Sequence, residues 1–408
     1  MINATTPKSH RRTNVQSLSF DVGLLLIVAS LLVIGLLMVY SASWDVSMTI
    51  SNSQNAIFLR QVIWVVLGVI GATVLSYFDY HHFRKWVVPM IFVVILLLLA
   101  VLAIREVRYN SARSLFEGSI QPAEFAKLVS ILYISVWLTN NKDMLKDFKN
   151  YLLPLSFGIG FIVALILAQP DLSAGLTVLI LGIMLLFLAG GDWKHVAIVI
   201  LVGLLSFIFL INVMPTGRLR FTQYLSGLEN PTQSSYHIRR TYEAIIKGGI
   251  FGVGLGKANT KFTGLPLPHT DSIFAVLAEE TGIFGSMIVI GLYILLIWRG
   301  FKIARNAPDQ LGSLLAFGLT GWIVIEALIN VSVIVGLLPF AGNALPFISA
   351  GGSSMATTMS AVGIVMNVAR QGTNKTASER STTSATVDLR RRDRRRSLSG
   401  ADRYGEIE

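Results

Sequence analysis

Residues 20–42 read FDVGLLLIVASLLVIGLLMVYSA, and beyond Asp21 the run carries no charged side chain. As a helix it would extend about 35 Å, enough to cross a hydrocarbon layer of about 30 Å. A polar leader with Lys8, Arg11 and Arg12 precedes it. The run is longer than the apolar part of a secretory signal, so it reads as a retained first membrane helix, although Ser41-Ala42-Ser43 resembles a small-residue cleavage site.

Runs of the same kind recur along the chain. Residues 57–77, 84–104, 121–139, 151–168, 173–190, 195–214, 272–298, 312–338 and 347–369 read as further crossings, making ten with the first. The fold class expected is an all-α polytopic membrane protein with a large extracytoplasmic loop, 215–271, between the seventh and eighth helices. Of the 408 residues 53% are hydrophobic and 14% charged, which excludes an ordinary water-soluble domain. There is no cysteine, so nothing is learned about disulfides, thiol chemistry or Cys-ligated metal.

An even number of crossings puts both termini on one side. Lys8, Arg11 and Arg12, then Arg84, Lys85, Lys142, Lys146, Lys149, Lys194, Arg299, Lys302 and Arg305, all fall in leader or connections sharing that side, which the positive-inside rule makes cytoplasmic. Opposite, 43–56 and 339–346 contain no Lys or Arg. Two outer connections break the rule: 105–120 carries Arg105, Arg108 and Arg113, and 215–271 carries Arg218, Arg220, Arg239, Arg240, Lys247, Lys257 and Lys261. Cations kept outside against the topogenic bias point to an anionic ligand such as a phosphate or pyrophosphate head group. The alternative is that longer loops translocate regardless of charge.

The loop 215–271 is too long for a plain connection. Tyr236 to Ile246 has the pattern of a short amphipathic helix, and the glycine run from Gly248 to Gly256 follows. That run allows a phosphate cradle or close backbone packing at the membrane surface. Residues 1–19 form a cytoplasmic leader and 20–370 the transmembrane domain. The segment 371–408, rich in Ser, Thr and Arg, reads as a disordered cytoplasmic tail whose run from Arg390 to Arg396 suits anionic lipid or an acidic partner. Without aromatic interleaving or a folded module beside it, nucleic acid is not the expected partner.

Ionisable groups at membrane depth are costly and therefore functional candidates. In Gln121-Pro122-Ala123-Glu124-Phe125-Ala126-Lys127, Glu124 and Lys127 stand on one helix face, either lining a cavity or holding helices together. Asp171, in Gln169-Pro170-Asp171-Leu172, sits ahead of a helix N-terminus, where it can cap or orient a cation. The sharpest candidate is Asp271 in His269-Thr270-Asp271-Ser272, where the basic loop re-enters the membrane. A carboxylate there can act as general base on a sugar hydroxyl, hold a divalent cation, magnesium or manganese, against phosphates, or simply cap the helix. No cofactor is required by the sequence. His269 reads as an interfacial side chain or a ligand, with no second histidine at ligand spacing. Glu279, Glu280 and Glu326 are assigned no chemistry, one of them being expected to pack on Asn330 or an Arg as bundle glue.

Together these residues resemble the SEDS family of cell-wall polymerases, whose members are FtsW, RodA and SpoVE. The resemblance runs from Asp21 to Arg370 through six ordered landmarks: Met38 to Ser43, Gln121-Pro122-x-Glu124-x-x-Lys127, Gln169-Pro170-Asp171-Leu172, Gly248-Gly249-x-x-Gly252-x-Gly254, His269-Thr270-Asp271, and Leu345 to Ser354. It implies an inverting glycosyltransferase that polymerises lipid II, an undecaprenyl-pyrophosphate-linked substrate, on the outer face of the bacterial cytoplasmic membrane. It also implies a class B penicillin-binding protein transpeptidase as partner. Asp271 is then the base; Glu124, Lys127 and Asp171 line the cavity; Arg113, Arg218, Arg220 and His269 lie on the substrate side. Ala123, Ser272, Ala350 and Glu326 depart from the family's usual Ser, Phe, Tyr and Gln, and His237 stands where Gln is common. The Met38–Ser43 wording and basic tail are most like FtsW, which implies work at the division septum with other division proteins. Against this stand the elongation polymerase, a lipid II flippase, and a scaffold that would tolerate loss of every carboxylate.

Overall fold

The computed structural model describes residues 20–104, 121–141, 144 and 147–373. Arg113 with the connection 105–120, the leader 1–19 and the tail from 374 lie outside the described residues. Among the described residues there is no β-strand. The α-helices run α1 (Val22–Ser51), α2 (Ala56–Tyr77), α3 (Phe83–Ile104), α4 (Pro122–Asn140), α5 (Leu153–Ala168), α6 (Leu172–Leu188), α7 (Trp193–Val213), α8 (Pro215–Glu229), α9 (Tyr236–Gly248), α10 (Ile273–Arg305) and α11 (Gln310–Ile334). A further helix, α12, spans 352–373.

The starts of these helices follow local chemistry. Asp21, Asp171 and Asp309 each accept a backbone N–H in the first turn of α1, α6 and α11, at 2.9, 3.1 and 2.8 Å. Pro122 and Pro215 open α4 and α8, where a missing N–H costs nothing. Among the described residues seven helices, α1 to α5, α10 and α11, are long and apolar enough to cross a membrane. Leu26, Ile63, Val74, Phe92, Leu96 and Phe157 are exposed on their outer faces, as contact with hydrocarbon requires. The protein is a membrane-embedded helical bundle, with α4 and α11 the most buried of its crossing helices.

Three boundaries differ from expectation. The first helix continues from 42 to Ser51, because one face of its C-terminal end is covered by protein: Ser43 and Ser47 are fully buried and Trp44 packs edge-on against Phe262 at 6.2 Å. The span read as 272–298 is broken at Gly282 (φ 70°, ψ −169°), so a short buried helix, 273–281, precedes the crossing segment 283–305. The last helix begins at 352 rather than 347, since Phe347 holds φ +66° and residues 345–349 form a buried irregular turn. Such backbone is tolerated at membrane depth only when protein satisfies it.

At the end of the bundle where α1 starts, Arg299 donates to Asp21 at 2.7 Å. On the same side His81 bridges Asp79 (2.7 Å) and Asp309 (3.0 Å), and Gln371 of α12 reaches Asp79 at 2.9 Å. The first of these contacts ties α10 to the start of α1, and the others tie the α2–α3 turn to the start of α11 and the end of α12.

Candidate active site

The turn entering α10 is built from backbone restraint. Leu267, between two prolines, takes φ +47°, and its carbonyl accepts from both Thr270 N and Ser272 N at 3.2 Å. The carbonyls of residues 269 to 271 are then taken up in order. His269 O accepts from Ala350 N (2.9 Å), Thr270 O from Ser349 Oγ (2.7 Å), and Asp271 O from Asn330 Nδ2 (3.0 Å). Two landmarks some eighty residues apart in sequence, His269–Asp271 and Leu345–Ser354, are thus one structure. Gln61 of α2 grips the second from behind, donating to Ser349 O (3.3 Å) and accepting from Gly351 N (3.1 Å). Gly35 of α1 packs on it so closely that a Cβ would collide with Phe347 O. Asp271, half-buried, is held on a pre-set backbone.

The long loop folds onto this turn. α9 lays His237, Ile238, Thr241 and Ala244 against the bundle. The glycine run that follows is taken up by the broken α10: Val253 N and Gly254 N donate to Glu279 O and Glu280 O at 3.0 Å, while Ile283 N and Phe284 N donate to Gly249 O and Ile250 O at 3.0 and 3.1 Å. A Cβ at Gly252 (φ +78°) would collide with Glu280 O. The run therefore satisfies the groups orphaned by the Gly282 break. The amides of Val253 and Gly254 are used there, and close packing rather than a phosphate cradle explains these glycines.

Glu279 and Glu280 secure the rest of the loop. Glu279 accepts from Asn259 N at 2.9 Å and from the Thr260 hydroxyl, while buried Glu280 takes Lys261 Nζ at 2.8 Å. Lys261 also donates to Ser41 Oγ (2.8 Å) and Gly256 O (3.0 Å), linking α1, the loop and α10. Neither glutamate packs on Asn330 or an Arg as expected. Two adjacent acids in an apolar helix signalled partners, but nothing in local spacing named Lys261 or Thr260.

Glu124 and Lys127 meet as expected, Lys127 Nζ donating at 2.9 Å, and Lys127 also pairs with Glu326 of α11. All three are buried, and Lys127 lies 5.5 Å from the Trp322 ring centroid. Glu326 is therefore paired with a lysine rather than with Asn330 or an arginine. Asp171 caps α6, accepts from Ser173 Oγ at 2.9 Å, and takes Gln121 Nε2 at 3.0 Å. Through Gln121, whose N–H reaches Ser353 Oγ at 3.1 Å, the start of α4 joins α6 to α12.

Of the loop cations, Arg240 and Lys247 share the single carboxylate of Glu243, while Lys261 is paired with Glu280. Arg218, Arg239 and Lys257 are exposed. Arg220 lies 5.2 Å from the Phe340 ring centroid, and Phe340 packs on His237 at 4.1 Å. Burial first, then the nearby Arg220 charge, pulls His237 down to about 4; burial does the same to His269. Both rings are neutral in the fold above that value, whereas the unfolded chain takes up protons near 6.5. Stability is then complete above pH 6.5 and falls as pH drops towards 4, by roughly 3 kcal/mol for His237. The melting temperature in detergent should be flat from pH 8 to 7 and decline below 6.5, and His237→Gln should make the decline shallower.

A metal at Asp271 finds no protein cage. Among the described residues no group of three His, Cys, Asp or Glu side chains gathers to hold an ion. An ion held between Asp271 and substrate phosphates would need no such cage, since magnesium is commonly bound by one or two carboxylates together with phosphate oxygens.

The fold and site define a polytopic helical membrane protein with a long basic loop that leads into a half-buried turn carrying Asp271. Residues 22–374 match the model of the FtsW/RodA/SpoVE family, described as cell cycle protein, and the chain belongs to that family. Stage V sporulation protein E of Bacillus subtilis (strain 168) is 37% identical over 355 residues, 86% of this chain and 97% of that protein. The probable peptidoglycan glycosyltransferase FtsW of Geobacter sp. (strain M18) is 35% identical over 353 residues, 86% and 96% of the two chains. Among solved structures, a chain from a peptidoglycan synthase complex that coordinates polymerisation and crosslinking superposes with TM-score 0.66 at 26% identity, over 87% of this chain and 99% of its own. The rod shape determining protein RodA of Thermus thermophilus gives 0.61 at 26% identity, over 87% and 98%.

Proposed function

We propose that this chain is a peptidoglycan glycosyltransferase that polymerises lipid II on the outer face of the bacterial cytoplasmic membrane. On this reading it has ten crossings and cytoplasmic termini, and it serves septal wall synthesis beside a class B penicillin-binding protein and other division proteins. The family and the names of its relatives support the activity. The observation that carries the chemistry is the clamped turn 267–271, which fixes the backbone of Asp271 at the point where the long basic loop joins α10.

In the reaction a sugar hydroxyl attacks the anomeric carbon of a second lipid-linked sugar. The new C–O bond forms as the bond to pyrophosphate breaks, with inversion, and the hydroxyl proton passes to the Asp271 carboxylate. The diphosphate leaves as an anion and needs positive charge, which Arg218 and Arg220 on α8 supply. An apolar cavity of about 630 Å³ supports a polyprenyl-linked substrate. Its lining includes Leu155, Val163, Leu167, Leu172, Leu179 and Met214, so it extends along α5 and reaches the residues next to Asp171 and α8.

The transporter alternative needs polar groups available from both faces. Beyond Lys127, α4 buries mainly apolar side chains, Leu128, Ile131, Leu132, Ile134 and Leu138, in the same core as Leu315, Leu319 and Ile323 of α11, with Ser130 and Ser135 the polar residues among them. Purified protein given lipid II and a class B transpeptidase in detergent, where flipping has no meaning, should form glycan strands. Absence of polymer with the partner bound would overturn the enzyme reading.

A further inference from the structure

Ser272 occupies the N-cap of α10, yet its side chain makes no cap bond. A serine there ordinarily accepts an N–H from the first turn. Instead its hydroxyl donates to Pro266 O at 2.5 Å and faces His237 Nε2 at 2.7 Å. One hydroxyl carries one proton, so with that proton on Pro266 the oxygen accepts from the ring, and His237 is the Nε2–H tautomer. The bridge is dry: Ser272 is fully buried and His237 nearly so. His237 Nδ1 has no hydrogen-bond partner among the described residues, which leaves Nε2 as the working atom. The bridge therefore joins α9 to both ends of the turn 266–272, and Asp271 is the residue immediately before Ser272.

We propose that His237 and Ser272 are a positioning pair for Asp271, an inference resting on the reading of Asp271 as base. The prolines and Leu267 fold the turn, and Asn330, Ser349 and Ala350 hold its carbonyls. Those contacts fix the backbone from the bundle side. The His237–Ser272–Pro266 bridge closes it from the loop side, so that rotation about residue 271 is restrained from both directions. Because His237 also packs on Phe340, against which Arg220 lies, the pair ties the α8 cation to the carboxylate turn. A small displacement of a catalytic group is enough to slow a reaction about 100-fold.

The test is a double-mutant cycle in the lipid II polymerisation assay, with His237→Leu, Ser272→Ala and the double variant, and His237→Gln as the conservative replacement. Each single change should lower kcat about tenfold or more while KM for lipid II stays within about twofold. The double variant should lose no more than the worse single, and His237→Gln, which keeps an N–H donor, should recover most of the rate. Losses that multiply, an unchanged kcat in both singles, or a rise in KM alone would overturn the pair. If His237→Leu fails to purify as a monodisperse species, the cycle is run with His237→Gln and Ser272→Ala. Substituting Ser272 should then still lower kcat in the His237 background, and an unchanged rate there overturns the pair. Asp271→Asn in the same assay separates the two readings, since full activity there defeats the base and leaves the cycle to be judged on its own coupling.

Discussion

Asp271→Asn should reduce glycan polymerisation by at least about 100-fold, the lower bound of what a general base contributes. The change is conservative in every respect but one. The turn is held through the carbonyls of His269, Thr270 and Asp271, and none of those bonds involves the carboxylate. Asparagine has the same shape and serves equally well at a helix start, but it cannot take a proton. The variant should therefore accumulate in the membrane, purify at wild-type yield and melt within a few degrees of the parent, while the product ladder from lipid II disappears. A variant with full activity in the presence of its transpeptidase would end the base assignment.

Lys127→Met should destabilise the bundle by roughly 3 to 5 kcal/mol, because removing one member of a buried ionic cluster strands the others. Lys127 is the cation between Glu124 and Glu326, and Glu124 Oε2 has no hydrogen-bond partner among the described residues to soften the loss. The effect should appear as a lower melting temperature in detergent and a lower membrane yield. Adding Glu124→Gln and Glu326→Gln removes the stranded charges and should restore most of the stability. That triple variant also decides between the two roles open to the cluster. Stable but inactive protein means that Lys127 or Glu124 acts on substrate; stable and active protein means that the triad only joins α4 to α11. A Lys127→Met protein that melts like wild type would remove the triad from the account of stability.

Much of the fold was legible because a membrane crossing is a local property. About twenty apolar residues must form a helix in lipid, since no water is present to satisfy the backbone. The runs at 57–77 and 121–139 therefore fall within a residue of α2 and α4. The reading failed where protein rather than lipid surrounds the chain. The extension of α1 to Ser51, the break at Gly282 and the irregular turn at 345–349 all lie where the loop or a neighbouring helix covers the backbone. Hydropathy does not distinguish burial in protein from burial in lipid. α8 was missed for a related reason: its composition is neither apolar nor strongly periodic, and the loop around it suggested a connection.

At the site, composition and local motif singled out Asp271, Asp171 and the Glu124–Lys127 pair, because an acid in an apolar setting is costly wherever it stands. Their partners were invisible. Glu326 for Lys127, Lys261 for Glu280, Ser349 for Thr270 and His237 for Ser272 lie between 19 and 199 residues apart in the chain. The sequence by itself determined the class of fold and the family, since helix length, charge bias and motif order are written along one dimension. Only the tertiary structure decided which charges neutralise one another and which backbone holds Asp271. Hydrogen bonds and ion pairs act over about 3 Å in space, and sequence distance says nothing of that.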